Sequence, residues 1–144
     1  MLMNKPAVRD AALLVLRLIL GLVFLCHGVT KLFIDGMDET VGQFSALGVP
    51  QPQNLAWLTA VGELAGGALL VIGLLTTAAA AVLMVLVGGA FYFAHWGNGF
   101  FATEGGVEYV SVLFVALLMV VVFGAGRASL DEVLNLSLIH ISER

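Results

Sequence analysis

Three observations together predict an all-α integral membrane protein, a four-helix bundle. Of the 144 residues, 60% are hydrophobic and only 11% are charged, whereas a soluble globular domain carries about 25% charged residues. The apolar residues gather in four runs, at residues 11–33, 55–75, 78–94 and 108–123, most of them near the ~20 residues that a spanning helix needs. The polar residues inside those runs recur at helical spacing, not strand spacing.

The first run, from Ala11 to Phe33, carries Arg17, His27 and Lys31. An ionisable group at membrane depth costs about 2.5–3.5 kcal/mol on insertion scales, so a helix that only anchored would exclude it. Arg17, Gly21, Phe24, Gly28 and Lys31 step by alternating fours and threes and form one stripe, with His27 on its flank. A narrow stripe of small and charged residues faces protein, not lipid. Lys5 and Arg9 before an apolar run resemble a signal peptide, but the run is too long and no small-x-small cleavage site comes after it, so the span is read as retained.

Residues 34–54 form a polar connection. Within it Asp38 to Leu47 predicts a short interfacial helix with Val41, Phe44 and Leu47 on one side, ended by Gly48. The second span carries the stripe Thr59, Glu63, Gly66, Leu70 and Gly73, and Gly62-x-x-x-Gly66 predicts close helix packing. Thr76-Thr77 is read as the tight turn into the third span, where Gly88, Tyr92 and His95 share a face and Gly88-Gly89 marks either packing or a kink. Next comes a glycine-rich connection, in which Trp96, Phe100 and Phe101 form an interfacial aromatic belt or, on a sharper reading, a mobile lid. The fourth span opens with Glu108 and Tyr109 and stops at Gly124-Ala125-Gly126. The membrane domain is taken as residues 1–135. The tail, residues 136–144, is set apart because Ser137 to Glu143 reads like translated adaptor sequence; His140 is discounted with it, and the natural chain is expected to differ after Leu134.

Charge sets orientation. Lys5 and Arg9 precede the first span, Arg127 comes after the fourth, and both long connections lack lysine and arginine. The positive-inside rule then places both termini in the cytoplasm. At ~1.5 Å per residue, His27 lies about 9 Å and Glu63 about 12 Å below the outer ends of their spans. His27, Lys31, Glu63, Tyr92, His95 and Glu108 therefore fall in the outer half, although they come from four separate helices. That convergence is the strongest functional signal in the residues themselves. It predicts an outward-opening polar pocket for a small-molecule ligand. The competing reading is a structural knot in which Glu63, His27 and Lys31 neutralise one another. Arg17, nearer the cytoplasmic side, is assigned to a lipid phosphate or to a neighbouring helix end.

Several chemistries are excluded or set aside. A net charge of −4 supplies no basic patch for nucleic acid. The single cysteine, Cys26, permits neither an intramolecular disulfide nor a CxxC pair, and it is expected to be a small buried apolar residue. A bis-histidine haem between His27 and His95 is disfavoured by their unequal depths, and no metal site is assigned to His27, His95 and Glu63.

Read in order, Arg17-x-x-x-Gly21 with His27-Gly28-x-x-Lys31, Phe44-x-x-x-Gly48-x-Pro50, Gly62-Glu63-x-x-Gly66-Gly67, Gly73-Leu74-x-Thr76 with Ala79-Ala80, His95 with Gly99-Phe100, Gly106-x-Glu108-Tyr109 and Gly124-x-Gly126-x-x-Ser129-Leu130-Asp131 resemble the DoxX family of small bacterial membrane proteins. The resemblance implies a four-helix membrane bundle. It also implies a loose link to quinone-coupled redox chemistry, since relatives are associated with quinol or thiosulfate oxidation and with thiol-stress complexes. The leading expectation is an oxidoreductase-associated subunit that binds quinone or a similar small molecule, with the lipid bilayer and a redox partner subunit or further copies of itself as partners. The alternatives are a non-catalytic scaffold of a membrane complex and a small proton-coupled carrier.

Overall fold

The computed structural model describes residues 5–95, 106–124 and 129–135. All regular structure among them is helical: α1 (Pro6–Val29) running into a π-helical turn (Thr30–Ile34), α2 (Met37–Ala46), α3 (Pro52–Ile72), α4 (Thr76–Ala90) running into a second π turn (Phe91–His95), and α5 (Glu108–Phe123), with a short helical segment at residues 130–135. Pro6 and Pro52 start their helices, where the missing amide hydrogen is no loss and the fixed φ suits the first turn. Three of the helical stretches, Pro6–Ile34, Pro52–Ile72 and Thr76–Ala94, are long and apolar enough to cross a membrane. The 16 residues of α5 reach only about 24 Å at ~1.5 Å per residue, so α5 crosses a ~30 Å hydrocarbon layer only with local thinning or with help from its flanks.

The bundle closes as a ring in which α1 packs on α3, α3 on α4, α4 on α5, and α5 back on α1, with α2 lying across α3 and the first π turn. The core keeps to the helical period. Leu20 and Phe24 of α1, Leu70 of α3, Ala80, Leu83 and Val87 of α4, and Val110, Leu113, Leu117 and Val120 of α5 form one buried cluster. The opposite faces, including Leu22, Val85 and Val112, are exposed, as lipid-facing surfaces are. Cys26 is on such a face. Its expected burial is therefore corrected: the residue lies two positions after the buried Phe24, which turns it off the packed stripe.

Glycine sets the α1–α3 distance. A Cβ at Gly67 would stand 2.7 Å from the Gly21 carbonyl oxygen and 2.8 Å from the Leu25 nitrogen, and one at Gly28 would stand 2.8 Å from the Leu64 nitrogen. The neighbours are backbone and cannot rotate away. The Gly62-x-x-x-Gly66 pair instead faces α4, through Leu86 and Leu83, so α3 is narrow on two sides. A Cβ at Gly88 or Gly89 would meet nothing within 4 Å. The close-packing reading therefore finds no neighbour there among the described residues, and the helix stays regular through both glycines before its π turn at Phe91.

The turn between α3 and α4 differs from the expectation. Thr76 and Thr77 begin α4, and the turn is Gly73-Leu74-Leu75. Gly73 takes φ +74 and ends α3, with its own amide and that of Leu74 both donating to the Leu69 carbonyl. Leu75 takes φ +49, a conformation a branched side chain adopts only when other contacts hold it. The α2 helix ends as expected, with Gly48 at φ +78 and the Val49 amide returning to the Phe44 carbonyl.

These glycine contacts predict a contrast. Gly67→Val must part α1 from α3 and should cost about 1–3 kcal/mol or more, as overpacking does. Gly42→Ala, in α2 with open space around it, should be neutral or stabilising by up to about 1 kcal/mol. Melting curves of the two variants in detergent check this, and equal behaviour would contradict the packing.

Candidate functional site

Polar side chains collect at the two ends of the bundle. At one end Arg17 is fully buried. Its Nη1 donates to the Leu70 carbonyl at 3.0 Å, in the last turn of α3, where the helix dipole favours a cation. The position of a Cβ on Gly73 would be occupied by Arg17 Nη1 and by Ser129, so only glycine fits. From the C-terminal segment Asp131 closes this end. Its carboxylate accepts from the Leu75 amide at 2.7 Å and the Thr76 amide at 2.8 Å, and its own amide donates to the Gly73 carbonyl at 2.8 Å. Asp131 thus caps α4 from 55 residues away. Burial pushes its carboxyl up, but hydrogen bonds from Thr76 and Leu75 and the Arg17 charge outweigh that and hold it below the ordinary value. Arg17 thus meets the end of a neighbouring helix, one of the two partners that the sequence offered.

At the other end Lys31 Nζ donates to both Glu63 oxygens at 3.0 Å. The side chains are 22% and 10% exposed, so the pair is largely out of water. Lys31 sits in the π turn, and the backbone there is held by Thr40 of α2. The Thr40 hydroxyl is buried and lies 3.2 Å from the Lys31 carbonyl and 3.0 Å from the Gly36 carbonyl. A hydroxyl has one hydrogen, so it donates to these two acceptors in a shared or alternating way. Thus α2 docks on the turn that presents Lys31.

His27 is not part of that pair. It is exposed, and its Nδ1 is 2.7 Å from the Val23 carbonyl oxygen, one turn back on its own helix. Its ring lies against that of Tyr109 on α5, with centroids 6.1 Å apart and planes 27° apart, and near Phe24 at 6.5 Å. Tyr109 is in electrostatic reach of Glu63 and of Cys26. Glu108, half-buried, is in the first turn of α5. Tyr92 is exposed, with Phe93 edge-on at 5.0 Å. The His95 side chain and the aromatics Trp96, Phe100 and Phe101 lie outside the described residues. Among the described residues no three His, Cys, Asp or Glu side chains gather as metal ligands do. An open apolar groove of about 420 Å³ runs along α5, lined by Ser111, Val112, Val115 and Ala116.

Of the residues singled out in the sequence, the fold brings Lys31 to Glu63 and sets His27 beside them, facing α5 instead. Of the three residues of the expected knot, Lys31 and Glu63 pair, and His27 meets Tyr109 and the Val23 carbonyl. Three residues escaped the site reading. Tyr109 was visible as the opening of the fourth span and, like Asp131, as a member of the motifs that carry the family resemblance, and Thr40 had no signal.

The DoxX family model matches residues 12–96. A Bacillus subtilis (strain 168) protein named "Putative oxidoreductase CatD" is 38% identical over 72 residues, 50% of this chain and 49% of that protein, so the match spans about half that relative's length. An uncharacterised Haemophilus influenzae protein is 32% identical over 132 residues, covering 90% of this chain and 95% of the relative. The uncharacterised membrane protein Rv3486 of Mycobacterium tuberculosis is 33% identical over 131 residues, 83% of this chain and 79% of that one. No solved structure matches the chain.

Each end of the bundle yields a prediction. Removing one member of a buried ion pair costs about 3–5 kcal/mol, and less here because Lys31 keeps some access to water. Lys31→Met and Glu63→Gln should each destabilise, while the double variant loses less than their sum; His27→Ala should be additive with Glu63→Gln. Additivity of the Lys31 and Glu63 changes would refute the pairing. At the other end, a carboxyl held below its ordinary value contributes stability that is complete above that value and is lost as pH falls through the lowered one. Wild-type stability should therefore fall below about pH 4 more steeply than that of Asp131→Asn, which is weaker at neutral pH; parallel pH profiles would contradict this.

Proposed function

The chain belongs to the DoxX family, and on that footing we propose that it is a membrane subunit of quinone-linked redox chemistry that binds a quinone-like small molecule at the Lys31 end of the bundle. The observation that carries this reading is the His27–Tyr109 contact beside the Lys31–Glu63 pair. An imidazole, a phenol and an aromatic face occur together within a membrane-spanning region, where ionisable groups are expensive and functional by default. A quinone headgroup asks for hydrogen-bond partners at two oxygens and for a flat surface, and its redox chemistry moves protons that histidine and carboxylate can exchange. These side chains bind and exchange protons, so the electrons pass to or from a partner subunit. The name of the Bacillus subtilis relative supports a redox association.

A second reading, a non-catalytic scaffold of a membrane complex, is favoured by one observation: Lys31 and Glu63 satisfy each other and need no ligand. Orientation, with both termini in the cytoplasm and this end facing outward, remains part of the proposal and rests on the basic residues at Lys5, Arg9 and Arg127.

The experiment is a paired melting curve and quinone titration on purified protein. Glu108 lies at a helix start, where a carboxylate adds only about 0.3–1 kcal/mol. Glu108→Gln and His95→Ala should leave the melting temperature nearly unchanged and weaken quinone binding severalfold. Unaltered binding in both variants, or no binding to wild type, would leave the scaffold reading.

A further inference from the structure

We propose that the C-terminal segment, residues 129–135, is an interfacial foot: its outer face, Leu130, Val133 and Leu134, rests among the lipid acyl chains while its inner face is pinned to the bundle. The three apolar residues lie three and four positions apart on a short helix, so they share one face, and all three are exposed. The polar residues of the segment hold it in place. Ser129 is buried, and its hydroxyl oxygen accepts from the Glu132 amide at 3.2 Å. The Asp131 carboxylate accepts from the Leu75 and Thr76 amides, and the Asp131 amide donates to the Gly73 carbonyl.

Where the segment is pinned decides what covers its outer face. Gly73, Leu75 and Thr76 lie where α3 ends and α4 begins, and both of those helices are long and apolar enough to span. The turn between two spans sits at a boundary of the hydrocarbon layer, and the segment bonded to it sits there too. Ile72 and Leu75 of that turn are also exposed, so the lipid-facing surface of the spans continues to the segment. The preceding helix adds a reason for lipid contact. The 16 residues of α5 reach only about 24 Å of a ~30 Å layer, and a short span is compensated by thinning or by its flanks. An apolar-faced segment after α5, lying flat in the interface, makes up the difference. The segment has Asp131 and Glu132 and no lysine or arginine, so attraction to anionic headgroups does not hold it; the contact is with acyl chains. A helix this short buries too little apolar surface to bind a membrane alone, but α5 and the Asp131 bonds deliver it to the surface.

A nitroxide attached at single positions tests this in the full chain, with Cys26→Ser as background and phosphatidylcholine vesicles as the membrane. The positions are Leu130→Cys, Val133→Cys, Leu134→Cys and, on the opposite side of the segment, Asn135→Cys; all four side chains are exposed, so the labels leave the fold intact. Oxygen concentrates in the bilayer and a nickel chelate stays in water, so the electron-spin saturation of each label reports its medium. The ratio of oxygen to nickel collisions should be several times higher at Leu130, Val133 and Leu134 than at Asn135. Nickel access at all four positions would place the segment in water. Oxygen access without nickel access at all four would place it inside the hydrocarbon layer instead of at its boundary. Shielding of the three apolar positions from both reagents would show protein, such as a second copy of the chain, on that face. Each of these three results would overturn the proposal, and none of them depends on a ligand at the Lys31 end.

Discussion

A guanidinium that must stay charged inside a membrane-spanning helix constrains one end of this molecule. Arg17 has no exposed surface and cannot lose its proton, so its surroundings have to be built for it. The C-terminal turn of α3 supplies a carbonyl, Gly73 leaves room for the guanidinium, and Ser129 packs into the same space. Asp131 contributes the opposing charge while capping α4. Helices α1, α3 and α4 and the C-terminal segment thus meet at one buried charge. The arrangement also holds Leu75 in its left-handed conformation, because the amides of Leu75 and Thr76 both point at the Asp131 carboxylate.

Much of the fold was legible in the sequence because helix packing here is periodic. The stripe Arg17, Gly21, Phe24, Gly28, Lys31 is the face that α1 turns to α3, and it was readable from spacing alone. The α3–α4 turn was not, because its cap comes from Asp131, 55 residues away; two threonines between hydrophobic runs look like a turn when the carboxylate that makes them a helix start is out of view. Depth was also readable, since it is a count along one helix. Which residues at one depth face each other was not. His27 and Lys31 are one turn apart, but the chain passes into a π turn at Thr30, where the Asp35 amide returns to the Thr30 carbonyl. Lys31, on the stripe, reaches Glu63 of α3 from that turn, while His27, on the flank of the stripe, faces Tyr109 of α5. Cys26 was misjudged for a related reason: composition marks a residue as apolar, but in a membrane protein apolar residues cover both the core and the lipid surface.

The two ends of the bundle hold their polar groups by different means. At the Arg17 end the Asp131 carboxylate accepts from the α4 amides in a tight, glycine-dependent space, and the Thr76 hydroxyl is buried there without a hydrogen-bond partner among the described residues. At the other end two opposite charges meet directly. Lys31 and Glu63 form a closed couple, with the turn beneath them held by the Thr40 hydroxyl. His27 beside them has only one of its ring nitrogens held by the protein's own backbone. The imidazole is instead held by its own helix and set against a tyrosine ring on α5. The first π turn, Thr30–Ile34, ends its helix rather than interrupting it. The irregular backbone there carries Lys31 to Glu63 and leaves the regular helices to hold the bundle.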